Sequence, residues 1–122
     1  MSKKVLIIED DQTISNMYQT GLSQNDYEIT LAENGEKGLT LAQEINPDII
    51  LLDIIMPKMD GFAVLEHLKK GEPTKDIPVI MLTNLGQDDD RKRGKELGAV
   101  DYVVKADFTP LQISEKIKKY LK

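Results

Sequence analysis

The order of the hydrophobic segments constrains the fold of this chain more than any other feature of its sequence. Four runs are rich in aliphatic, β-branched residues, at positions 5–8, 48–52, 79–82 and 100–104. Near-continuous apolar runs of this length are typical of parallel strands that are buried on both faces. A weaker run at 27–32 alternates apolar and polar residues, which indicates a strand at the edge of a sheet.

Segments with helical periodicity lie between these runs and after the last one. Apolar residues recur at helical spacing in 13–25, 36–45 and 62–68. The apolar stripe of the first helix is predicted to contain Ile14, Met17, Tyr18, Gly21 and Leu22. The last helix opens with Thr109 as N-cap, Pro110 at its first position and Gln112 placed for a capping box.

The fourth helical segment, roughly residues 87–97, differs from the others. It reads QDDDRKRGKEL, in which Leu97 is almost the only apolar residue and Gly94 lies in the interior. Its opening acids and the bases that follow suit the helix dipole. Because it has so little to bury, we expect this helix to be the least firmly anchored element.

Five alternations of strand and helix predict a doubly wound α/β fold with a parallel sheet. Right-handed crossovers leave few topologies for such a chain. We expect the flavodoxin-like (βα)5 order 2-1-3-4-5, in which ligands bind at the carboxyl ends of strands 1 and 3. Residues 1–122 are expected to form a single domain, since no linker, repeat or low-complexity segment interrupts them.

Composition excludes several classes of function. The chain has no cysteine, which excludes disulfides and thiolate metal sites. The net charge of −5 argues against direct nucleic-acid binding, which requires a basic surface. No apolar stretch approaches the roughly 20 residues that span a bilayer, so no membrane contact and a cytoplasmic location are expected.

Polar side chains that can bind a ligand or react follow four of the five predicted strands. In chain order they are Glu9 and Asp10 (followed by Asp11), Asp53, Thr83 and Lys105. Because the carboxyl ends of parallel strands meet at one edge of the sheet, these groups should converge in one crevice. The alternative for the first three acids is a cluster at a helix N-terminus, where the helix dipole favours them.

Carboxylates packed this closely repel one another unless a cation lies among them. Oxygen-only ligands suit a hard ion such as Mg²⁺, which binds one or two carboxylates and phosphate oxygens. Lys105 and Thr83 would then hold phosphate oxygens as a charge and a hydrogen-bond donor. Asp53 is the candidate nucleophile, since carboxylates form aspartyl-phosphate intermediates.

The sequence resembles the receiver domain of two-component response regulators over essentially its full length. The matching motifs are VLIIEDD at 5–11, DIILLDIIMPKMDG at 48–61, PVIMLTN at 78–84 and GAVDYVVKAD at 98–107. The resemblance implies that Asp53 takes a phosphoryl group from a histidine kinase or a histidine phosphotransfer protein. It implies that Asp10 ligates Mg²⁺ directly and that Glu9 acts through water. Asp53 and the backbone carbonyl of Ile55 would complete the protein ligands.

The resemblance also implies a switch and a limited chemistry. On phosphorylation Thr83 would turn toward the phosphate and Tyr102 would swing inward, which changes the face formed by helix 4, strand 5 and helix 5. That face would bind an unknown downstream protein, and a phosphorylation-dependent homodimer through it is left open. The protein would not be an enzyme beyond its own phosphorylation and dephosphorylation.

Three features depart from the family pattern. Ala106 stands where a proline usually follows the lysine, commonly with a cis peptide, so the turn is either rebuilt in trans or strained. Ile55 and Leu85 are apolar and cannot orient an attacking water, which predicts slow self-hydrolysis of the phosphorylated state. The chain ends with the last helix, so we expect either a stand-alone receiver without an output domain or a part of a larger protein.

Three alternatives remain in view. A magnesium-dependent phosphatase of the haloacid-dehalogenase type needs a second acid two residues after the nucleophile, where this chain has Ile55. A flavodoxin-like FMN binder needs a Ser-, Thr- and Gly-rich loop after strand 1, where this chain has EDDQT. A receiver-like interaction module that is never phosphorylated is the third alternative. His67, the single histidine, is expected on the surface of the third helix.

Overall fold

The computed structural model describes residues 3–23, 27–83 and 88–121, within which five parallel strands alternate with five α-helices. The elements are β1 (Lys3–Ile8), α1 (Gln12–Ser23), β2 (Tyr27–Ala32), α2 (Gly35–Ile45), β3 (Ile49–Asp53), α3 (Gly61–Lys70), β4 (Val79–Thr83), α4 (Asp88–Glu96), β5 (Asp101–Val104) and α5 (Pro110–Tyr120). A 3-10 helix at Lys105–Asp107 joins β5 to α5. The strand order is β2-β1-β3-β4-β5, which confirms the predicted doubly wound fold with β2 at one edge.

The strand residues divide between two hydrophobic clusters because successive side chains point to opposite faces of the sheet. Leu6 and Ile8 of β1 lie on the face that α2 and α3 cover. Val5 and Ile7 lie on the face that α1 and α5 cover. All five residues of β3 and all five of β4 are buried, which explains why their sequences show no alternation.

Side-chain caps fix where α2, α3 and α5 begin. Asn34 accepts from the backbone N–H of Lys37 at the start of α2, and Asp60 does the same for Ala63 at the start of α3. The predicted capping box of α5 is present, with Thr109 and Gln112 each bonded to the other's backbone N–H. Helix caps therefore set the strand–helix junctions at the edge of the sheet where the strands end.

The structure corrects the predicted boundaries and one side chain. β3 ends at Asp53, as predicted, but β3 and β5 each begin one residue later than the predicted runs at 48–52 and 100–104. Met17 was placed on the buried stripe of α1, but its side chain is 48% exposed, and Ser15 is buried instead. The buried strip of α1 is narrower than its apolar pattern suggests, since it has to face only the sheet and α5.

Helix α4 is weakly packed, as its sequence predicted. Among its described side chains, those of residues 89–96, only Gly94 is buried. Leu97 follows the end of the helix, and Gln87, the predicted first residue, lies outside the described residues. By contrast, α3 buries five residues, including Phe62, Leu65 and Leu68. None of the helices in the described ranges is both long and apolar enough to span a bilayer.

Candidate phosphoacceptor site

The site begins at the end of β1, where three consecutive acids follow the strand. Their surroundings differ. Glu9 is buried, whereas Asp10 and Asp11 are exposed. Asp11 caps α1, since one carboxylate oxygen accepts from the backbone N–H groups of Thr13 at 2.9 Å and Ile14 at 3.2 Å. The helix-terminus interpretation therefore holds for Asp11, while Glu9 and Asp10 are left to form the site.

Asp53 is positioned by β3 and by the close packing of the loop that follows it. Its side chain lies at the carboxyl end of the fully buried central strand and is itself buried. Gly61 packs directly on the Asp53 backbone, and a Cβ at Gly61 would lie 2.3 Å from the Asp53 carbonyl oxygen. The Gly61 N–H donates to the Ile54 carbonyl at 2.8 Å, which closes the loop. Gly61 is required for this close approach.

The loop between Ile54 and Gly61 contains a strained turn. Lys58 has a φ of 70°, in the left-handed region, and Met59 N–H donates to the Pro57 carbonyl across it at 2.8 Å. This is the geometry of a classic γ-turn, which is rare because it is strained. The turn carries the chain over the end of β3 and away from Asp53.

Lys105 supplies the positive charge of the site. It begins the 3-10 helix after β5, and its Nζ forms an ion pair with Glu9 and lies 3.1 Å from the Asp53 carboxylate. The side chains of all three residues are at least nine-tenths buried. Burial alone would lower the pKa of Lys105, but the hydrogen bonds and negative charges of Glu9 and Asp53 outweigh it and raise that pKa.

The carboxylates retain unbalanced charge despite Lys105. Burial and the neighbouring Asp53 raise the pKa of Glu9, although Lys105 partly opposes the shift. Burial and the neighbouring Glu9 raise the pKa of Asp10. One ammonium group can balance only one of three carboxylates, so the cleft still favours a further cation.

The acidic cluster has the composition and spacing of a cation site. One carboxylate oxygen from each of Glu9, Asp10 and Asp53 lies within 4.8 Å of the other two. Oxygens bound to one octahedral Mg²⁺ are about 2.9 Å apart when adjacent and about 4.2 Å apart when opposite, so oxygens within 4.8 Å of one another are close to the spacing that one ion requires. The cluster offers oxygen ligands only, which suits Mg²⁺ or a similar hard ion and could hold such a metal.

These groups line a small cleft of about 170 Å³ at the surface. Its lining residues are Glu9, Asp10, Asp11, Ile14, Asp53, Ile55 and Lys105. Ile55 stands at the rim with its side chain 57% exposed. Of the predicted site residues, the structure thus brings Glu9, Asp10, Asp53, Ile55 and Lys105 together.

Thr83 is the last residue of β4, as predicted. It is buried at the end of β4, but within the described residues it does not line the cleft. Tyr102, on the paired strand β5, is only 7% exposed. Burial and the charge of Asp90 raise the pKa of Tyr102, while Thr83 and Arg91 oppose the shift. The Tyr102 ring is thus buried beside α4, with the Arg91 guanidinium group over its face.

The departures from the family pattern have partial answers. No peptide bond in the described ranges is cis, so Ala106 follows a trans bond and the turn is rebuilt as a 3-10 helix. Leu85 lies outside the described residues. The exposed Ile55 side chain leaves the prediction of slow self-hydrolysis standing as a prediction. His67 is exposed, as expected.

Sequence reasoning missed Arg91 and Arg93 of α4. The Arg91 guanidinium carbon lies 4.7 Å from the centre of the Tyr102 ring, and that of Arg93 lies 4.4 Å from the centre of the Phe62 ring. The only sign of these contacts in the sequence was the presence of two arginines on a helix that has no apolar stripe. Which rings they cover depends on how α4 is rotated against the sheet, and the sequence pattern does not show that rotation.

Comparison with known proteins places the chain in a family. The family profile of the response regulator receiver domain matches residues 5–118. A probable transcriptional regulator of Cyanophora paradoxa, ycf27, is 43% identical over 120 residues, which are 98% of this chain and 48% of that protein. This chain belongs to the response regulator receiver domain family, whose members are signalling modules of two-component systems.

Solved structures agree with this assignment. The chemotaxis protein CheY4 of Vibrio cholerae superimposes with a TM-score of 0.93 and 30% identity, covering 99% of this chain and all of that one. The Mn²⁺-bound form of the response regulator Rcp1 superimposes with a TM-score of 0.85 and 28% identity, covering 98% and 95%. The chain spans about half the length of the curated relatives that it matches.

The names of these relatives qualify one expectation. Several are called transcriptional regulators, whereas the charge of this chain argued against direct nucleic-acid binding. The matched part is about half of each relative, so their names describe proteins roughly twice as long. The absence of direct nucleic-acid contact stays a prediction for this receiver domain.

Proposed function

We propose that this receiver domain is a Mg²⁺-dependent phosphoacceptor in a two-component phosphorelay, with Asp53 as the residue that is phosphorylated. One observation carries the proposal: the buried Asp53 carboxylate lies 3.1 Å from the Lys105 ammonium group and within 4.8 Å of carboxylate oxygens of Glu9 and Asp10. This combines a nucleophile, a cation for phosphoryl oxygens and a place for a metal in one open cleft.

The proposed metal ligands are Asp10, Asp53 and the backbone carbonyl of Ile55, with Glu9 acting through water. The relative Rcp1, solved in an Mn²⁺-bound form, supports a divalent cation in this fold. When bound, Mg²⁺ would neutralise charge on the phosphoryl oxygens and align them with the nucleophile. Glu9 and Asp10 would keep the metal in place as the charge of Asp53 changes.

The proposed reaction is a direct transfer from a phosphohistidine of a histidine kinase or a histidine phosphotransfer protein. A carboxylate oxygen of Asp53 forms a bond to phosphorus while the phosphorus–nitrogen bond breaks. The electron pair of that bond stays on the imidazole nitrogen of the donor. Lys105, which now forms ion pairs with Asp53 and Glu9, would form an ion pair with a phosphoryl oxygen. Its charge would thereby stabilise the phosphorylated product.

The proposed output is a change of the face formed by α4, β5 and α5. Thr83 and Tyr102 lie on the paired strands β4 and β5, and Thr83 affects the pKa of the Tyr102 hydroxyl, so a turn of Thr83 toward the phosphoryl group would change the surroundings of Tyr102. Beside Tyr102 lies a groove of about 300 Å³ lined by Arg91, Lys95, Ala99, Val100, Asp101 and Tyr102. A downstream protein, or a second phosphorylated copy of this chain, would bind there. We place these events in the cytoplasm, where a kinase could reach the domain.

The test is to incubate the protein with acetyl phosphate, with and without Mg²⁺, and to measure its intact mass. We expect one phosphoryl group to be added only with Mg²⁺ and not to be added to Asp53→Ala. Size-exclusion chromatography with beryllofluoride would report whether the activated state dimerises. Addition without metal, or to Asp53→Ala, would overturn the assignment of the site. A complete absence of phosphorylation under all conditions would instead favour the unphosphorylated interaction module.

A further inference from the structure

Two arginines of helix α4 lie over aromatic rings of neighbouring elements. Arg91 lies over the Tyr102 ring and Arg93 lies over the Phe62 ring, at 4.7 Å and 4.4 Å from the ring centres. Gly94 lies beside both rings, and a Cβ there would be 3.7 Å from Tyr102 and 3.9 Å from Phe62. Because Gly94 is the only buried residue among the described side chains of the helix, these guanidinium–ring contacts determine much of how α4 is held.

The two arginines hold different parts of the molecule. Arg93 covers Phe62, which follows Gly61 at the beginning of α3. Arg91 covers Tyr102 and also donates from its Nη1 to the Tyr102 carbonyl oxygen at 3.3 Å. Arg91 therefore contacts both the ring and the backbone of Tyr102.

The Arg91 contact depends on the position of the Tyr102 ring. The ring is buried, and the guanidinium group lies over its face in that position. If the ring turned outward, Arg91 would lose the contact with its face and keep only the bond to the backbone. A contact made in one of two conformations shifts the equilibrium toward that conformation.

We propose that Arg91 is a positioning residue that clamps Tyr102 in its buried position, so that the α4–β5 surface is partly set for signalling before Asp53 is phosphorylated. The proposal rests on the proposed function for the meaning of that surface. The clamp itself depends only on the contacts of Arg91. An exposed cation–π contact shifts an equilibrium by roughly two- to fivefold, so the clamp biases the switch without locking it.

The test uses fluorinated tyrosine placed at Tyr102 and ¹⁹F NMR on the full chain without a phosphodonor. Arg91→Gln removes the charge and the ring contact, and the ratio of buried to exposed Tyr102 should fall by about two- to fivefold. Arg91→Lys keeps the charge but loses the planar stacking group. Its ratio of buried to exposed Tyr102 should therefore lie between those of wild type and Arg91→Gln. Arg93→Gln is the matched control, because it loosens the same helix through a different ring.

The comparison of the two arginines decides the outcome. An unchanged ratio in Arg91→Gln would overturn the proposal. An equal fall in Arg93→Gln would also overturn it, since the effect would then come from loosening of α4. A fall in Arg91→Gln alone, with Arg91→Lys intermediate, supports a clamp on Tyr102.

A second measurement separates this inference from the proposed function. The rate of phosphorylation by acetyl phosphate with Mg²⁺ should fall in Arg91→Gln by the same factor as the ratio, and should be unchanged in Arg93→Gln. If phosphorylation proceeds equally in both variants, the link between the clamp and the switch is wrong while the proposed function stands. If wild type is never phosphorylated, the proposed function fails, and the ¹⁹F ratio still tests the clamp.

Discussion

The cleft around Asp53 and the helix α4 beside it are built in opposite ways. The cleft lies on the fully buried strand β3, and backbone packs on backbone where Gly61 meets Asp53. Helix α4 buries only Gly94 among its described side chains and relies on arginines that lie over rings. A phosphoryl-transfer site requires fixed distances, whereas a surface that reports a switch requires two packings of similar free energy. The two regions match these two requirements.

The largest expected effect on the cleft comes from removing its internal cation. Lys105→Met leaves Glu9 and Asp53 without their partner in a buried site, and breaking such an interaction costs roughly 3 kcal/mol or more. We expect the free energy of unfolding to fall by about this amount in EDTA and by less in Mg²⁺. Urea denaturation in both conditions measures the difference.

Lys95→Met on α4 is the control for that experiment. Lys95 is exposed, and an exposed substitution changes stability by only about 0.5 kcal/mol in either direction. Equal losses in the two variants would contradict the contrast between a tightly built cleft and a loosely held helix. An absence of any Mg²⁺ effect on Lys105→Met would count against a metal in the cleft.

A pair of glycine substitutions tests the contrast in packing. In Gly61→Ala the new Cβ would lie 2.3 Å from the Asp53 carbonyl oxygen and 2.7 Å from the Ile54 Cα, and neither backbone atom can move freely. We expect a loss of about 3 kcal/mol, at the upper end of ordinary overpacking. In Gly94→Ala the nearest atom, on Met81, is 3.6 Å away, and alanine favours the helix by about 0.8 kcal/mol.

Thermal unfolding of the two variants should therefore shift in opposite directions. A stable Gly61→Ala variant would show that the loop over Asp53 can relax, and that the cleft is less firmly built than its contacts indicate. A destabilised Gly94→Ala variant would show that α4 packs more closely at Gly94 than these distances indicate.

The fold and half of the site follow from the sequence for a physical reason. Parallel strands buried on both faces leave near-continuous apolar runs, and the residue after each run must lie at the same edge of the sheet. This rule places Glu9, Asp53 and Lys105 correctly. It does not say whether the polar group at the end of a strand faces the cleft, so the role of Thr83 stays a prediction.

Surface contacts were harder to predict than strand ends. Met17 fits the helical period of α1, yet it lies outside the strip that the sheet covers. Arg91 and Arg93 give no periodic signal because their contacts depend on the rotation of α4. Asp11 could not be separated from Glu9 and Asp10 until the hydrogen bonds of the α1 N-terminus were known.

A smaller effect is expected at the rim of the cleft, on rate rather than on stability. Ile55 is exposed beside Asp53 and offers no group to orient an attacking water. Ile55→Asn supplies such a group, and we expect the phosphorylated state to decay roughly tenfold faster, which corresponds to about 1.4 kcal/mol in the barrier. Loss of the added phosphoryl mass with time measures it. An unchanged or slower decay would mean that Ile55 does not set the lifetime, and Ile55→Val is the control for packing.

The smallest expected effect concerns α5, the neighbour of α4 that is firmly held. Asp101 of β5 accepts from Lys116 at 3.1 Å and from the Tyr120 hydroxyl at 2.9 Å, which ties α5 to the sheet. Burial alone would raise the pKa of Asp101, but its bonds to the Tyr102 backbone N–H, Lys116 and Tyr120 lower it below the usual 3.8. The stabilisation is therefore complete above pH 3.8 and is lost as the pH falls through the lowered pKa.

Asp101→Asn should cost about 1 kcal/mol at pH 7, because the ion pair is partly exposed. The difference from wild type should disappear at a pH below the lowered pKa, where both side chains are neutral. Denaturation midpoints measured from pH 7 downward test this, with Lys118→Gln on the exposed face of α5 as the control. A difference that persists unchanged in acid would show that Asp101 acts through hydrogen bonds that asparagine does not reproduce rather than through its charge.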